Sequence, residues 1–412
     1  MVNKTMGLTV SLKELYLKFV MVVSIIYLVF VPFGNYPIML KGIKLDVAIG
    51  VLLSVLFIPY LRKVLVFPKV YIFSAVVLAL FLLITALLSI EPLFSLWRYI
   101  ITLGYMFLAF VIPAAFHEKI DVFYRWLSIS GIAAALSSVI LYFFLGFNNN
   151  GWGRFTLPAY DPVLHRFVQF SRNAPYVDPN ILAFGLLMTV FPLIWFSQSS
   201  KRQWLWNLPL AILFCVAVLL TKSRTAIVAF GSSVVIASCL QLTRGLIRGN
   251  DKRIISAILV FLLFVGMLAV GAILVPQEFS QFYARLVSAP LDEGRLARME
   301  FAINGWQYSL KTVFFGQGYY YATKTVDPHN LFLEYLYGSG IVGLLAFIQF
   351  IMAVVYFIAK SIKKPMARFI ADRLLWYILV AGLTYWHTKT FWVPILLINF
   401  IVLYSRSQNR GY

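Results

Sequence analysis

Apolar stretches of about 20 residues recur along the whole chain, and each is long enough to cross a bilayer core of about 30 Å. This feature predicts an all-α polytopic membrane protein and excludes a soluble globular enzyme. The composition agrees, because 61% of the 412 residues are hydrophobic and only 12% are charged. About twelve transmembrane helices are expected, near 19–37, 46–60, 70–89, 97–116, 122–146, 179–197, 205–221, 225–242, 254–275, 340–359, 374–388 and 391–405.

The formal net charge of +20 is open to two interpretations. It could indicate a nucleic-acid partner, but in a membrane protein the simpler cause is the excess of Lys and Arg in cytoplasmic loops. Of the 35 Lys and Arg residues, 21 lie in segments that face the cytoplasm if the first helix starts inside. We therefore expect a multi-pass membrane protein with both termini cytoplasmic, membrane lipids around it and no nucleic-acid partner. The N-terminus lacks a small-residue cleavage site, which favours a lead-in segment over a cleaved signal.

Two long segments fall on the outer side in this arrangement. Residues 147–178 are rich in Gly, Pro, Asn and aromatic residues, which predicts an ordered but irregular periplasmic loop. Residues 276–328 form the largest periplasmic loop, and apolar residues recur in it at helical spacing from Leu296 to Leu310. That pattern predicts an amphipathic helix on the membrane interface. One membrane domain over 1–412 is the simplest partition.

Charged residues at a membrane edge are costly and therefore informative. Lys222, Ser223 and Arg224 are wedged between the seventh and eighth predicted helices with almost no loop. The planar guanidinium of Arg224 suits a phosphate or pyrophosphate, with Lys222 beside it. The alternative is an arginine that extends towards lipid headgroups.

A second group precedes the tenth predicted helix. His329 follows Asp327 and Pro328, and Asn330 could cap the helix that begins there. A histidine with an ordinary pKa near 6.5 can accept a proton from a hydroxyl at neutral pH. The alternative is a histidine that hydrogen-bonds a nearby carbonyl.

Further candidates for substrate binding lie in the two periplasmic loops. Arg172 comes shortly before Asp178 and Asn180, although a helix cap explains most of the latter pair. Arg295 and Arg298 flank the apolar stripe of the large loop, where surface ion pairs with neighbouring acids are a serious alternative.

No cofactor or metal is expected from the residue pattern. The two cysteines lie inside apolar stretches, and the sequence contains no Asp-x-Asp pair, phosphate-binding loop or His/Cys cluster. Acidic residues are nearly missing from the central helices, which disfavours an ion-coupled transporter.

Together these segments resemble the O-antigen ligase and polymerase superfamily. His329-Asn330, nine residues, Gly340, two residues and Gly343 are similar to the family's histidine-asparagine…glycine-x-x-glycine signature, although Leu344 stands where the pattern favours threonine. Ser223-Arg224 is similar to the family's serine-arginine motif.

Two further segments carry the same resemblance. Asp178-Pro179-Asn180 looks like a recurring family element, and the run from Arg295/Arg298 to Gly316-Gln317-Gly318 is similar to the family's arginine-helix-glycine-x-glycine run. The motifs occur in the family's order, and the lipid A–core:surface polymer ligase is the most similar member.

The resemblance implies a metal-independent, GT-C-like glycosyltransferase. Such an enzyme lies in the bacterial inner (cytoplasmic) membrane and moves a glycan from undecaprenyl pyrophosphate to a sugar hydroxyl of lipid A–core at the periplasmic face, with inversion. The interfacial helix of the loop 276–328 would then cover the active site. By motif position, Arg224 and Arg298 would hold the pyrophosphate, with Arg295 as a nearby competitor, and His329 would be the general base. Alternatives are a surface-polysaccharide polymerase that uses a lipid-linked repeat unit as acceptor and, with less support, a lipid-linked oligosaccharide flippase.

Overall fold

A computed structural model describes most of the chain. The described residues are 2–30, 39–40, 43–143, 154–161, 166–173, 179–196, 203–247, helical residues scattered between 258 and 283, 293–319, 330–384 and 388–410.

The described residues are mainly helical, as the sequence predicts. Their α-helices are α1 Val2–Val29, α2 Leu45–Leu56, α3 Lys69–Leu87, α4 Pro92–Phe116, α5 Ile120–Phe143, α6 Pro179–Phe196, α7 Gln203–Thr221, α8 Arg224–Ile247, α9 Glu293–Trp306, α10 Leu310–Phe315, α11 Leu331–Ser361, α12 Pro365–Thr384 and α13 Thr388–Arg410. Two 3₁₀-helices, Ile58–Val66 and His117–Lys119, follow α2 and α4.

Four helical stretches among the described residues are long and apolar enough to cross a membrane: Lys69–Leu87, Pro92–Ile140, Leu331–Ser361 and Phe391–Gln408. A fifth candidate is the pair Val47–Leu56 and Ile58–Val66, which is bent by 81°. These helices establish a polytopic membrane protein. The full set of twelve stays a prediction, because several of the expected helices fall partly on residues outside the described ranges or are shorter than the length that a complete crossing requires.

Strands supplement the helices at two places. A two-residue pair, β1 Met39–Leu40 with β2 Ile43–Lys44, precedes α2. The longer hairpin pairs β3 Arg154–Asp161 with β4 Arg166–Asn173 in antiparallel register, with Arg154 opposite Asn173. The segment 147–178, expected to be irregular, therefore contains regular pairing over much of its length.

A buried aromatic and amide cluster joins four of the helices. Tyr71 of α3 donates a hydrogen bond to Asn399 of α13 at 3.0 Å, and the amide nitrogen of Asn399 donates to the carbonyl of Ala109 in α4 at 2.8 Å. The Tyr71 ring also stacks on Phe350 of α11 with ring centres 5.8 Å apart. Because every polar atom in this apolar core needs a partner, these bonds fix how α3, α4, α11 and α13 are aligned.

Pairs of contacts show that neighbouring helices run in opposite directions. In α8 and α12, Phe230 packs on Tyr377 and Ser238 accepts a bond from Arg373, so residue numbers rise along one helix as they fall along the other. The same holds for α11 and α12, because Asn330 bonds the Leu383 carbonyl, whereas Arg368 bonds the Ile358 carbonyl.

This alignment defines two ends of the bundle. The site end is the one where α6, α8 and α11 begin and where α12 finishes. The basic end is the opposite one, where α12 begins and α11 finishes. The partition into one domain with two periplasmic loops stays a prediction.

Candidate active site

A hydrogen bond between distant segments forms the first part of the site. The Ser223 hydroxyl donates to the side-chain oxygen of Asn180 at 2.8 Å, across 43 positions of sequence. Ser223 is fully buried, and Asn180 is the second residue of α6. Two of the segments that carry the family resemblance are thus in direct contact, and the contact sets the start of α8 against the start of α6.

The turn between α7 and α8 is tight and strained. Lys222 has φ 51°, a left-handed conformation that is unfavourable for a residue with a Cβ atom, and its side chain is only 2% exposed. Ser223 then caps α8, because its hydroxyl lies 3.4 Å from the backbone nitrogen of Ala226. Arg224 follows as the first residue of α8 and is half-buried. This geometry places two cationic side chains at a helix N-terminus, whose partial positive charge adds to theirs.

The Gly316-Gln317-Gly318 segment is bonded to a break in α11. Gly340 has φ 63° and ψ −168°, so helical hydrogen bonding is interrupted inside α11. The backbone nitrogen of Gln317 donates to the Tyr337 carbonyl at 2.8 Å, and that of Gly318 donates to the Gly338 carbonyl at 3.0 Å. Two carbonyls next to the break therefore gain partners from the glycine turn.

The glycines at this junction are required by space as well as by conformation. Gly316 and Gly318 have φ of 73° and 123°, which residues with a Cβ atom rarely adopt. A Cβ on Gly316 would collide with the backbone of Gly338 and Ser339, and one on Gly340 would collide with the backbone of Phe314 and Phe315. The glycine-x-glycine run and the glycine-x-x-glycine run are thus two halves of one packed junction.

Asn330 caps α11, as predicted. Its side-chain oxygen accepts from the backbone nitrogens of Phe332 and Leu333 at 3.0 and 3.1 Å, and its amide nitrogen donates to the Leu383 carbonyl at 3.1 Å. Glu334, one turn further on, is 3% exposed and therefore places a carboxylate inside the protein next to this cap. The cap thus joins the start of α11 to the end of α12.

Helix α9 packs its small residues against α11. Ala302 is buried against Tyr337, and a Cβ on Gly305 would collide with the Tyr337 ring. Arg298 precedes Ala302 by one turn and Gly305 by two, so it lies on the same face, and its side chain is half-buried. The predicted helix is thus present over 293–306, but its large apolar residues Leu296 and Ile303 are exposed, and Leu310 belongs to α10.

The antiparallel packing of α8 and α12 relates these parts to one another. Arg224 lies six residues before Phe230, which packs on Tyr377, and Leu383 lies six residues after Tyr377. Arg224 and Asn330 are therefore at the same end of the bundle. The N-termini of α6, α8 and α11 lie at this end, and each favours an anion close to its first turn, whereas the C-terminal ends of α7 and α12 carry the opposite partial charge.

Several predicted residues fall outside what the structure describes. His329 and Asp178 lie outside the described residues. Arg172 and Arg295 lie in β4 and α9, but their side chains are outside the described set. The roles assigned to all of these residues stay predictions.

The packing adds residues that the sequence analysis missed. Arg98 in α4 precedes Thr102 by one turn, and the Tyr319 hydroxyl donates to Thr102 at 3.1 Å, directly after the glycine turn. The backbone nitrogen of Ile90 donates to the Gln317 carbonyl at 3.3 Å, so α4 also begins at the site end. Arg98 is half-buried there. No local sequence pattern marks Arg98 as a site residue, because it is a single charge at the edge of an apolar stretch.

Within the described ranges no three His, Cys, Asp or Glu side chains form a group that could hold a metal ion.

Comparison with known proteins gives one family match. Residues 209–348, about a third of the chain, match the family described as O-antigen ligase, which confirms the resemblance predicted from the motifs. This segment contains Lys222, Ser223 and Arg224, α9, the glycine junction and Asn330. No match is found among curated proteins.

A solved structure is also similar in part. It is described by the words "Structural coordination of polymerization and crosslinking by a peptidoglycan synthase complex", and the match has 13% identity and a TM-score of 0.41. The match covers 82% of this chain and 97% of the other. A TM-score of 0.41 is too low to establish a shared fold.

Proposed function

Since residues 209–348 match the O-antigen ligase family, we propose that this protein is a glycosyltransferase that ligates O-antigen in lipopolysaccharide biosynthesis. It transfers the polysaccharide from undecaprenyl pyrophosphate to a sugar hydroxyl of lipid A–core at the periplasmic face. The observation that carries the proposal is the location of Arg224 and Asn330, the neighbour of His329, at one end of the bundle.

The donor's pyrophosphate binds where three helices begin. A pyrophosphate leaving group needs its growing negative charge stabilised more than it needs a proton, and without a metal the protein must supply that charge. Arg224, on the first turn of α8, and Arg298, on the face of α9 that meets α11, are the proposed ligands, with Arg295 as a competitor. Lys222 and the helix dipoles add positive potential.

The acceptor hydroxyl is activated by His329. The imidazole takes the hydroxyl proton as the oxygen attacks the anomeric carbon of the donor. The new glycosidic bond forms as the bond to the pyrophosphate oxygen breaks, and undecaprenyl pyrophosphate leaves as an anion. Direct displacement inverts the anomeric configuration. Asn330, the next residue, supports this role because its side chain bonds both the start of α11 and the end of α12.

The charge distribution supports a periplasmic site in the inner membrane. The basic end carries a surplus of cations, among them Lys63, Lys69, Lys360, Lys363, Lys364, Arg368 and Arg406. The positive-inside rule assigns such an end to the cytoplasm. Helices α1 and α13 also meet that end, where Tyr16 donates to the Leu56 carbonyl and Arg406 to the Val66 carbonyl. The site end then faces the periplasm, and both termini are cytoplasmic.

A surface-polysaccharide polymerase is the second candidate. The same donor chemistry would serve it, with a lipid-linked repeat unit as acceptor, and the family match favours both activities equally. A flippase has less support, because the family match is to O-antigen ligase.

A transfer assay tests the proposal. The purified protein in lipid nanodiscs is given undecaprenyl-pyrophosphate-linked glycan and either lipid A–core or a carrier-linked repeat unit. We expect transfer to lipid A–core, its persistence in excess chelator, and its loss in His329→Ala with donor binding retained. His117→Ala, a histidine at the basic end, is the matched control and should transfer normally.

Three results would contradict parts of the proposal. Elongation of carrier-linked repeats without ligation would make the protein a polymerase. Normal turnover by His329→Ala would remove the general base. Loss of activity in chelator that magnesium restores would show that a metal takes part.

A further inference from the structure

Gln317 bonds three separate parts of the site end. Its side-chain amide nitrogen donates to the Gly305 carbonyl of α9 at 2.6 Å. Its backbone nitrogen donates to the Tyr337 carbonyl of α11 at 2.8 Å, and its carbonyl accepts from the backbone nitrogen of Ile90, just before α4, at 3.3 Å. The glycine-x-glycine pattern leaves this middle position open, so the motif itself does not account for the glutamine.

The side-chain bond closes the C-terminal end of α9. The last carbonyls of a helix lack partners within it, and α9 ends at Trp306. The backbone nitrogen that would continue the helical bonding, that of Ser309, donates to the Thr312 hydroxyl instead at 2.9 Å. Gln317 thus supplies the partner for the Gly305 carbonyl that the helix does not.

The same bond fixes how α9 is placed on α11. Phe301 and Ala302 pack on Tyr337, with 6.3 Å between the ring centres of Phe301 and Tyr337, and Gly305 lies against the same ring. Apolar packing is non-directional, so it leaves a helix free to shift or turn on the ring, whereas a hydrogen bond has a preferred length and angle. Gln317 therefore determines the position of α9 along and around its axis.

Arg298 depends on that position. It lies seven residues before Gly305, about 10 Å along the same helix, so a shift at the end of α9 also moves the guanidinium. We infer that Gln317 is a positioning residue, which holds Arg298 where it binds the donor's pyrophosphate. This inference rests on the proposed function. A displacement of about 1 Å at a reacting centre can cost about 100-fold in rate, so the place of the guanidinium matters as much as its charge.

A double-mutant cycle with Arg298 tests the inference. Gln317→Met removes the amide donor and keeps a side chain of similar length. We expect kcat/KM for the undecaprenyl-linked donor to fall about tenfold, less than in Arg298→Ala, because the guanidinium is misplaced but still present. In the Arg298→Ala background the same substitution should change kcat/KM by less than about twofold, since the group that it misplaces is gone. The KM for the acceptor should stay the same in every variant.

Lipid binding gives a measurement that does not depend on turnover. The Kd of undecaprenyl pyrophosphate for the protein in nanodiscs should rise in Gln317→Met but not further when Arg298→Ala is already present. Tyr124→Phe is the matched control, because it removes a bond of 3.1 Å to the Leu397 carbonyl near the start of α5, away from the site end. It should lower the melting temperature about as much as Gln317→Met and leave the Kd unchanged.

Several results would overturn the inference. An equal loss from Gln317→Met in both backgrounds would show that the glutamine only stabilises the fold. An unchanged Kd in Gln317→Met, or in Arg298→Ala, would also remove the positioning role. If the wild type binds the lipid with the expected cycle but transfers no glycan, the proposed function is wrong and the positioning role stands. If transfer is normal and the cycle is additive, the proposed function stands without it.

Discussion

The two ends of the helical bundle are both cationic, but they hold their cations differently. At the basic end, Arg368 pairs with Asp372 one turn away at 2.9 Å, with both side chains partly exposed, and Lys360 bonds Tyr356 on the surface. At the site end, Lys222 is buried and its neighbour Ser223 is held by Asn180. Exposed pairs of the first kind contribute little to stability. In the proposed orientation these cations would serve to keep their end of the bundle in the cytoplasm.

The backbone shows the same contrast. Among the described residues, the positive φ angles occur at Lys222, Gly316, Gly318 and Gly340, all at the site end. Strained conformations persist only where the surrounding structure enforces them, and they are typical of functional sites. The basic end can therefore be recognised from its number of cations, whereas the site end is defined by the conformation of its backbone. Four predictions test that contrast.

Replacing Gly340 with alanine should have the largest effect. A Cβ there would collide with the backbone of Phe314 and Phe315, and the φ of 63° would be strained as well. We expect the protein to lose more than about 3 kcal/mol of stability and all transfer activity. Thermal melting in detergent measures the loss of stability. Gly266→Ala is the control, because nothing lies within 4 Å of its Cβ, and it should melt normally. Equal melting of both variants would show that the glycine junction is not a fixed structure.

Removing the cation at the start of α8 should affect activity more than folding. Arg224→Ala should lower the transfer rate about 100- to 1,000-fold, as expected for the loss of one group that stabilises developing charge. Its melting temperature should stay close to that of the wild type, since Arg224 is only half-buried. Arg368→Ala at the basic end is the matched control and should transfer at the normal rate. A similar loss in both variants would mean that overall positive charge, and not the site, supports the reaction.

Part of this contrast was predictable from the sequence, and the rest was not. The helical membrane fold follows from the apolar stretches, and the cap at Asn330 from its residue type and place. The bond between Ser223 and Asn180 joins positions 43 apart, so no local pattern reports it. A continuous apolar run in the sequence also does not reveal where a helix breaks. The predicted helix at 340–359 starts at the Gly340 break, but α11 begins at Leu331, and the predicted span at 46–60 is bent by 81°.

The bond between α6 and α8 can be measured by a double-mutant cycle. Ser223→Ala and Asn180→Ala should each lower stability by about 1 kcal/mol, because each leaves a buried polar group without its partner. The double variant should lose less than the sum of the two, with a coupling energy of about 0.5–1.5 kcal/mol. Thermal melting gives the energies, and the KM for donor should rise in all three variants. Strict additivity would contradict a direct bond between the two side chains.

The smallest effect should come from replacing the buried cation Arg373, which lies near the middle of α12 and away from the site end. Arg373 lies over the Phe369 ring at 3.2 Å and donates a hydrogen bond to Ser238 at 3.4 Å. It is 3% exposed, so burial alone does not distinguish it from Lys222. It differs in its position, near the middle of α12 and about 15 Å of helix before Leu383 at the site end. Arg373→Met keeps the apolar stem and removes a buried charge, which is often neutral or stabilising. We expect stability to change by less than about 1 kcal/mol and transfer to stay within twofold of the wild type, whereas Lys222→Met should raise the KM for donor severalfold. If Arg373→Met impaired donor binding as much as Lys222→Met, the functional contrast between the two ends would be lost, and buried positive charge anywhere in the bundle would have to be counted as part of the site.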